Sequence, residues 1–152
     1  MFSRNDAQLD AQVRRIVYDA FLTKGIPPAV TKVADALVIS VTMVKDAYQR
    51  LADGHILVLQ PDSGEILMAN PFSSVPTPFL VEAEKQVWWG NCIWDALGIL
   101  AMVGKDGQVR SSCQDCGEDL HLTVRSGELE NTSLVAHFSV PANQWWENIV
   151  FT

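Results

Sequence analysis

The stretch EKQVWWGNCIWDALGILAMVG, residues 84–104, decides how the second half of this chain folds. Between Gln86 and Val103 its only charged side chain is Asp95. We read residues 86–103 as one apolar helix, with Gly104 as its natural C-terminal stop. On a helix, residues three and four apart share a face. Trp88, Cys92 and Asp95 then line one stripe, and Trp89, Ile93, Ala96 and Leu100 line an adjacent apolar one. Trp88 is thereby expected to wall a pocket beside Cys92.

A buried cysteine is among the commonest core residues and by itself signals packing. Asp95 changes the reading. A carboxylate is rarely buried without a partner, because desolvating it alone is expensive. In an apolar setting its pKa rises and the neutral acid is favoured. A neutral carboxylic acid beside a nucleophilic sulfur is able to relay a proton.

Outward from this stretch, the N-terminal half follows a helical period. Leu9, Val13, Ile16, Val17, Ala20 and Phe21 share one face of a helix over 9–24, which Gly25 and Pro27 stop. A second helix fits 29–37, with Val33, Ala34 and Leu37 inward. Ser40 caps a third that runs to about Ala52 and buries Met43, Val44, Ala47, Tyr48 and Leu51, and Gly54 closes it. HILVLQPDSGEILMA, residues 55–69, reads as two short strands around a Pro-Asp-Ser-Gly turn. Three helices and a hairpin make a winged-helix-like unit over 1–69. NPFSSVPTP, residues 70–78, reads as a linker. Residues 79–152 are expected to form a small mixed α/β-sheet domain, with strands in FLVEAE, QVRSSC, LHLTVRS, SLVAHFSV and the terminal WWENIVFT. The fold class is α+β.

Composition narrows the function. The 152 residues are 48% hydrophobic and 19% charged, enough apolar material for a core. Residues 1–70 carry 7 basic and 8 acidic side chains, residues 71–152 carry 4 and 10, and the net charge is −7. Neither half has the basic surplus that a phosphate backbone demands, so nucleic acid is not the expected partner. No apolar run reaches the roughly 18 residues that span a bilayer. The N-terminus shows no signal-peptide core, which predicts a cytoplasmic protein. The odd cysteine count, Cys92, Cys113 and Cys116, favours reduced thiols over a disulfide framework.

PFLVEAE, then WWGNCIWDALGIL, then VRSSCQDCGEDLHLTV, in this order and spacing, resemble the catalytic domain of the organomercurial (alkylmercury) lyases over residues 77–152. That family also carries a small winged-helix-like domain N-terminal to it. The resemblance implies protonolysis of a carbon–mercury bond, giving a hydrocarbon and Hg(II), on a small organometallic substrate. It makes Cys92 the first mercury-binding thiolate, a soft ligand for a soft ion. Asp95 becomes the group that takes the thiol proton and hands it to carbon, beside the metal. No organic cofactor is implied, and free thiols carry away the product ion. The family's second catalytic cysteine follows a stretch like WWENIVFT and has no counterpart before Thr152. Either the domain continues beyond that residue or this protein lacks the cysteine, and cleavage by the chain as given is expected to be impaired.

The remaining candidates are weaker. Cys113 falls where the family has a structural cysteine. Cys113, Cys116 and His121 spell three ligands of a zinc knuckle, but the fourth position is Ser126, and a closed zinc site wants four. A reversible Cys113–Cys116 disulfide, or a surface thiol pair that captures metal, fits the same residues. His55 and His137 are read as hydrogen-bonded structural residues. Two further functions compete with the lyase. One is a metal-responsive winged-helix regulator, whose third helix would present Lys45, Gln49 and Arg50 to DNA. The other is a non-catalytic thiol metal-binding protein.

Overall fold

The computed structural model describes residues 4–130 and 133–150. Helix α1 spans Arg4–Lys24, α2 Val30–Leu37 and α3 Val41–Asp53. Period and caps account for all three. Val13, Val17 and Phe21 are fully buried on α1, and Val44, Ala47 and Tyr48 on α3. The Ser40 hydroxyl accepts from the Met43 N–H and so caps α3 as expected. Met43 itself is exposed, contrary to its expected inward position, because it sits in the first turn beside that cap. The N-terminus of α2 is capped from outside: the Glu65 carboxylate accepts from the Val30 N–H.

Strands β1 (Leu57–Leu59) and β2 (Ile66–Ala69) form the hairpin read from the sequence. The segment 70–78, expected to be a linker, departs from that role. After a cis Asn70–Pro71 bond it supplies strand β3, Phe72–Ser73, with both residues buried. Strands β4 (Leu80–Ala83), β5 (Gln86–Gly90), β6 (Gly107–Ser112), β7 (Asp119–Arg125) and β8 (Glu128–Glu130) complete one sheet in the order β1-β2-β3-β5-β4-β6-β7-β8. Every pairing in it is antiparallel.

The decisive stretch is therefore not one helix. Gln86–Gly90 is β5, and only Ile93–Val103 is helical, as α4. Alternation explains the strand: Val87 is exposed, Trp88 buried, Trp89 half-buried and Gly90 buried. The helical period begins after Gly90, and Gly104 ends it in the left-handed region as expected (φ 63°).

Cross-strand partners Trp88, Val81, Val109 and Leu122 share one face of the sheet and are buried. Helix α4 packs on this face. Leu100 lies so close to Gly107 that a side chain there would meet it. From the N-terminal half, Phe21 stacks on Phe72 with ring centroids 5.0 Å apart, and its carbonyl accepts from Trp88 Nε1 at 2.7 Å. The opposite face, with Arg110 and His121, is open to solvent, as an antiparallel sheet allows.

The C-terminal portion corrects two more expectations. Residues 133–140, SLVAHFSV, alternate like a strand but pair with nothing in the sheet. Beyond them Pro141 opens a 3-10 helix at Ala142–Glu147 where WWENIVFT was expected to continue as a strand. Phe151 and Thr152, the end of that stretch, lie outside the described residues. No described helix is long and apolar enough to cross a membrane.

Candidate active site

Cys92 is the N-cap residue of α4, and Asp95 sits in that helix's first turn. The two side chains interact directly, thiol against carboxyl. Burial pushes the Asp95 carboxyl above the ordinary carboxylate range, and hydrogen bonds from Asn91 and Cys92 offset part of the rise. Burial likewise pushes the Cys92 thiol up. The N–H groups of Asp95 and Trp94, which act on the sulfur without closing a cap hydrogen bond, favour the thiolate, whereas the neighbouring carboxylate opposes it.

Sequence reasoning missed the residue that fixes the carboxyl. Asn91 Nδ2 donates to Asp95 Oδ2 at 3.0 Å, to the Pro71 carbonyl at 3.2 Å and to Asn70 Oδ1 at 3.4 Å. The Asn70 carbonyl in turn accepts from the Tyr18 hydroxyl at 2.7 Å. One chain of contacts therefore runs from α1 through the β2–β3 turn to the acid. An amide in a loop carries no periodic signal, so nothing in the sequence marked Asn91.

These groups floor a cavity of about 230 Å³. Met68, Asn70 and Trp94 border it beside the thiol and the acid. The opposite side is made by Phe138, Trp145, Trp146, Ile149 and Val150 from the C-terminal segment. Trp94, Phe138 and Trp145 also line a second groove of about 650 Å³. Phe138 and Trp145 pack with centroids 5.1 Å apart, and Trp146 stacks on the His55 ring at 3.9 Å. The segment thus lies across the site and is tied to the turn after α3.

Trp88 is not a pocket wall. It points into the core from β5, 2% exposed, because a strand and not a helix precedes Cys92. The aromatic walls are Trp94, 69% exposed at the cavity mouth, and the Trp145–Trp146 pair. Cys113, Cys116 and His121 do not assemble into a zinc knuckle. His121 stands on the open face opposite Arg110, while both cysteines occupy the β6–β7 turn. Among the described residues no three His, Cys, Asp or Glu side chains converge on a metal position.

Gly90 sets the placement of the pair. A Cβ built on it lies 2.7 Å from Ala96 N and 2.8 Å from Ala96 Cα, so the first turn of α4 rests on bare backbone. Gly90→Ala is expected to push that turn away and to lower stability by about 1–3 kcal/mol in denaturant titration. It should also weaken ligand binding at Cys92 although no ligand-facing side chain has changed.

The family model for alkylmercury lyase (MerB) matches residues 72–152. The fold is similar to that in the crystal structure of the mercury-bound form of MerB2, with a TM-score of 0.62 at 22% identity. The alignment covers 84% of this chain and 65% of that one, so the chain spans less than two thirds of its structural relative. No curated protein matches the sequence. Since the family model takes in just over half of the residues, including the cysteine, the acid and most of the cavity wall, the chain belongs to the alkylmercury lyase family.

Proposed function

We propose that the chain binds organomercury cations R–Hg⁺ through Cys92 and protonates the carbon–mercury bond through Asp95, releasing the hydrocarbon and leaving Hg(II) on sulfur. The observation that carries this reading is the thiol and the half-buried carboxyl meeting on the floor of an aromatic-walled cavity. Binding replaces the thiol's S–H bond by S–Hg, and the proton passes to the Asp95 carboxylate. The same proton then goes to the organic carbon as the C–Hg bond breaks. Free thiols of a reducing cytoplasm take the ion. Burial raises the Asp95 pKa and so favours the protonated carboxyl that hands its proton to carbon.

Only one thiol faces the cavity among the described residues, since Cys113 and Cys116 lie in the β6–β7 turn. A single thiolate activates carbon weakly, so a chain of these 152 residues is proposed to bind R–Hg⁺ and to cleave it slowly. The test is phenylmercury added to the Cys113→Ser/Cys116→Ser variant: one adduct per chain by intact mass, with little benzene formed. Rapid benzene release overturns the impairment, and absence of an adduct on Cys92 overturns the whole reading.

The three helices and hairpin we read as a winged-helix-like module that packs against the catalytic sheet. The regulator alternative gains nothing from α3. Arg50 is held by Asp10 at 2.6 Å and Gln49 by Asp53 at 2.8 Å, so two of the three groups expected to read DNA are engaged within the protein.

The raised pKa of Asp95 has a signed consequence. The folded protein keeps this proton above the ordinary value of 3.8, so the contribution to stability is full at low pH and is lost as pH rises through the folded pKa. Asp95→Asn removes the penalty. Its thermal midpoint is expected to exceed the wild type's at neutral pH and to converge with it below about pH 4. An unchanged difference across that range would show that Asp95 is not the group responsible.

A further inference from the structure

Outside the cavity, the molecule's other two thiols share one turn. Cys113 directly follows β6 and Cys116 lies three residues on, and both are free. The Gly117 N–H donates to the Cys113 carbonyl at 2.9 Å and the Cys113 N–H to the Glu118 carbonyl at 2.8 Å. Gly117 takes the positive φ of 74° that lets the chain return into β7. This closed turn holds the two side chains together: the Cys116 thiol reaches the Cys113 sulfur, toward which the N–H groups of Cys116 and Asp115 also point.

The chemistry of the donor set selects the ligand. Two adjacent thiolates with no third His, Cys, Asp or Glu converging on them among the described residues suit an ion satisfied by two soft ligands, and leave Zn(II), which wants four, under-coordinated. Asp115, Glu118 and Asp119 add negative charge around the turn and favour a cation.

The sheet places this turn near Cys92. Trp89 on β5 and Arg110 on β6 both pair with Leu80 of β4, so the two outer strands run parallel and in step. Cys92 follows Trp89 by three residues, and Cys113 follows Arg110 by three. Both thiol positions therefore leave the same edge of the sheet, from strands two inter-strand spacings, roughly 10 Å, apart.

We propose that Cys113 and Cys116 form a second metal site, an intrachain dithiolate clamp for Hg(II). Binding breaks two S–H bonds and makes two S–Hg bonds. Two protons go to solvent, and no electron is transferred. The clamp does not depend on cleavage at Cys92, and the test separates the two.

The full chain carrying Cys92→Ser is reduced, freed of reductant and titrated with mercuric chloride against an excess of a monothiol. Bound metal is read by native mass spectrometry and free thiols by a chromogenic disulfide. One mercury per monomer, with both remaining thiols consumed, is expected. Adding Cys116→Ser should lower retention by roughly 100-fold or more, because the second sulfur no longer acts at high effective concentration. Failure of Cys92→Ser to retain mercury, an adduct that bridges two chains, or retention undiminished by Cys116→Ser overturns the clamp. The Cys113→Ser/Cys116→Ser variant reports separately on Cys92: its phenylmercury adduct persists if the proposed function is right and is lost if that reading fails.

Discussion

Cys92→Ser is expected to abolish organomercury binding in the cavity. A hydroxyl is a hard, protonated donor and cannot replace a thiolate for a soft ion. Disturbing only the outer partners of a metal ligand typically lowers affinity by roughly 10–100-fold, so removing the ligand itself should exceed ~100-fold. In a Cys113→Ser/Cys116→Ser background, the loss is read as disappearance of the phenylmercury adduct under monothiol competition. Since Cys92 is an N-cap that makes no cap hydrogen bond, serine in its place should leave α4 intact or slightly firmer. An unchanged melting transition together with lost binding is the expected signature. Retained binding would move the site elsewhere in the cavity.

Trp88→Ala carries the largest expected effect on stability, about 3–5 kcal/mol of a total that is about 5–15 kcal/mol for a domain of this kind. The side chain is 2% exposed, packs beside Phe72 and donates to the Phe21 carbonyl. Trp88→Phe keeps most of the volume and loses that hydrogen bond. The Phe21 carbonyl still accepts from the Gly25 N–H at 2.9 Å, so it is not orphaned. The phenylalanine variant should therefore fall by only about 1–2 kcal/mol below wild type. Urea midpoints of the two variants check the order, and equal losses would contradict this account of the bond.

Much of the N-terminal half was legible because its physics is local. A 3.6-residue period, a serine cap and a glycine stop specify α1 to α3 without reference to anything distant. The Cys92–Asp95 pair was legible for another reason: a carboxylic acid in apolar sequence demands an explanation wherever it sits. Trp88 was misplaced because an unbroken apolar run does not distinguish strand from helix, and only its sheet partner Val81 and the neighbouring Phe72 ring settle which one forms. Asn91 and Trp94 went unnoticed since their roles exist only once the β2–β3 turn and the C-terminal segment have closed around them. The same holds for residues 133–140, whose alternation invites a strand but finds no edge to join.

Kinship and cohesion have different borders in this molecule. The segment that the alkylmercury lyase family model matches begins at Phe72, yet that residue pairs in register with Ala69 and lies flat against Phe21. A fragment cut there would inherit every reactive group while baring an indole, a phenyl ring and an unpaired strand edge, an invitation to aggregate. The ancestry of the reactive half is thus readable in isolation, but its solubility is on loan from the helices before it.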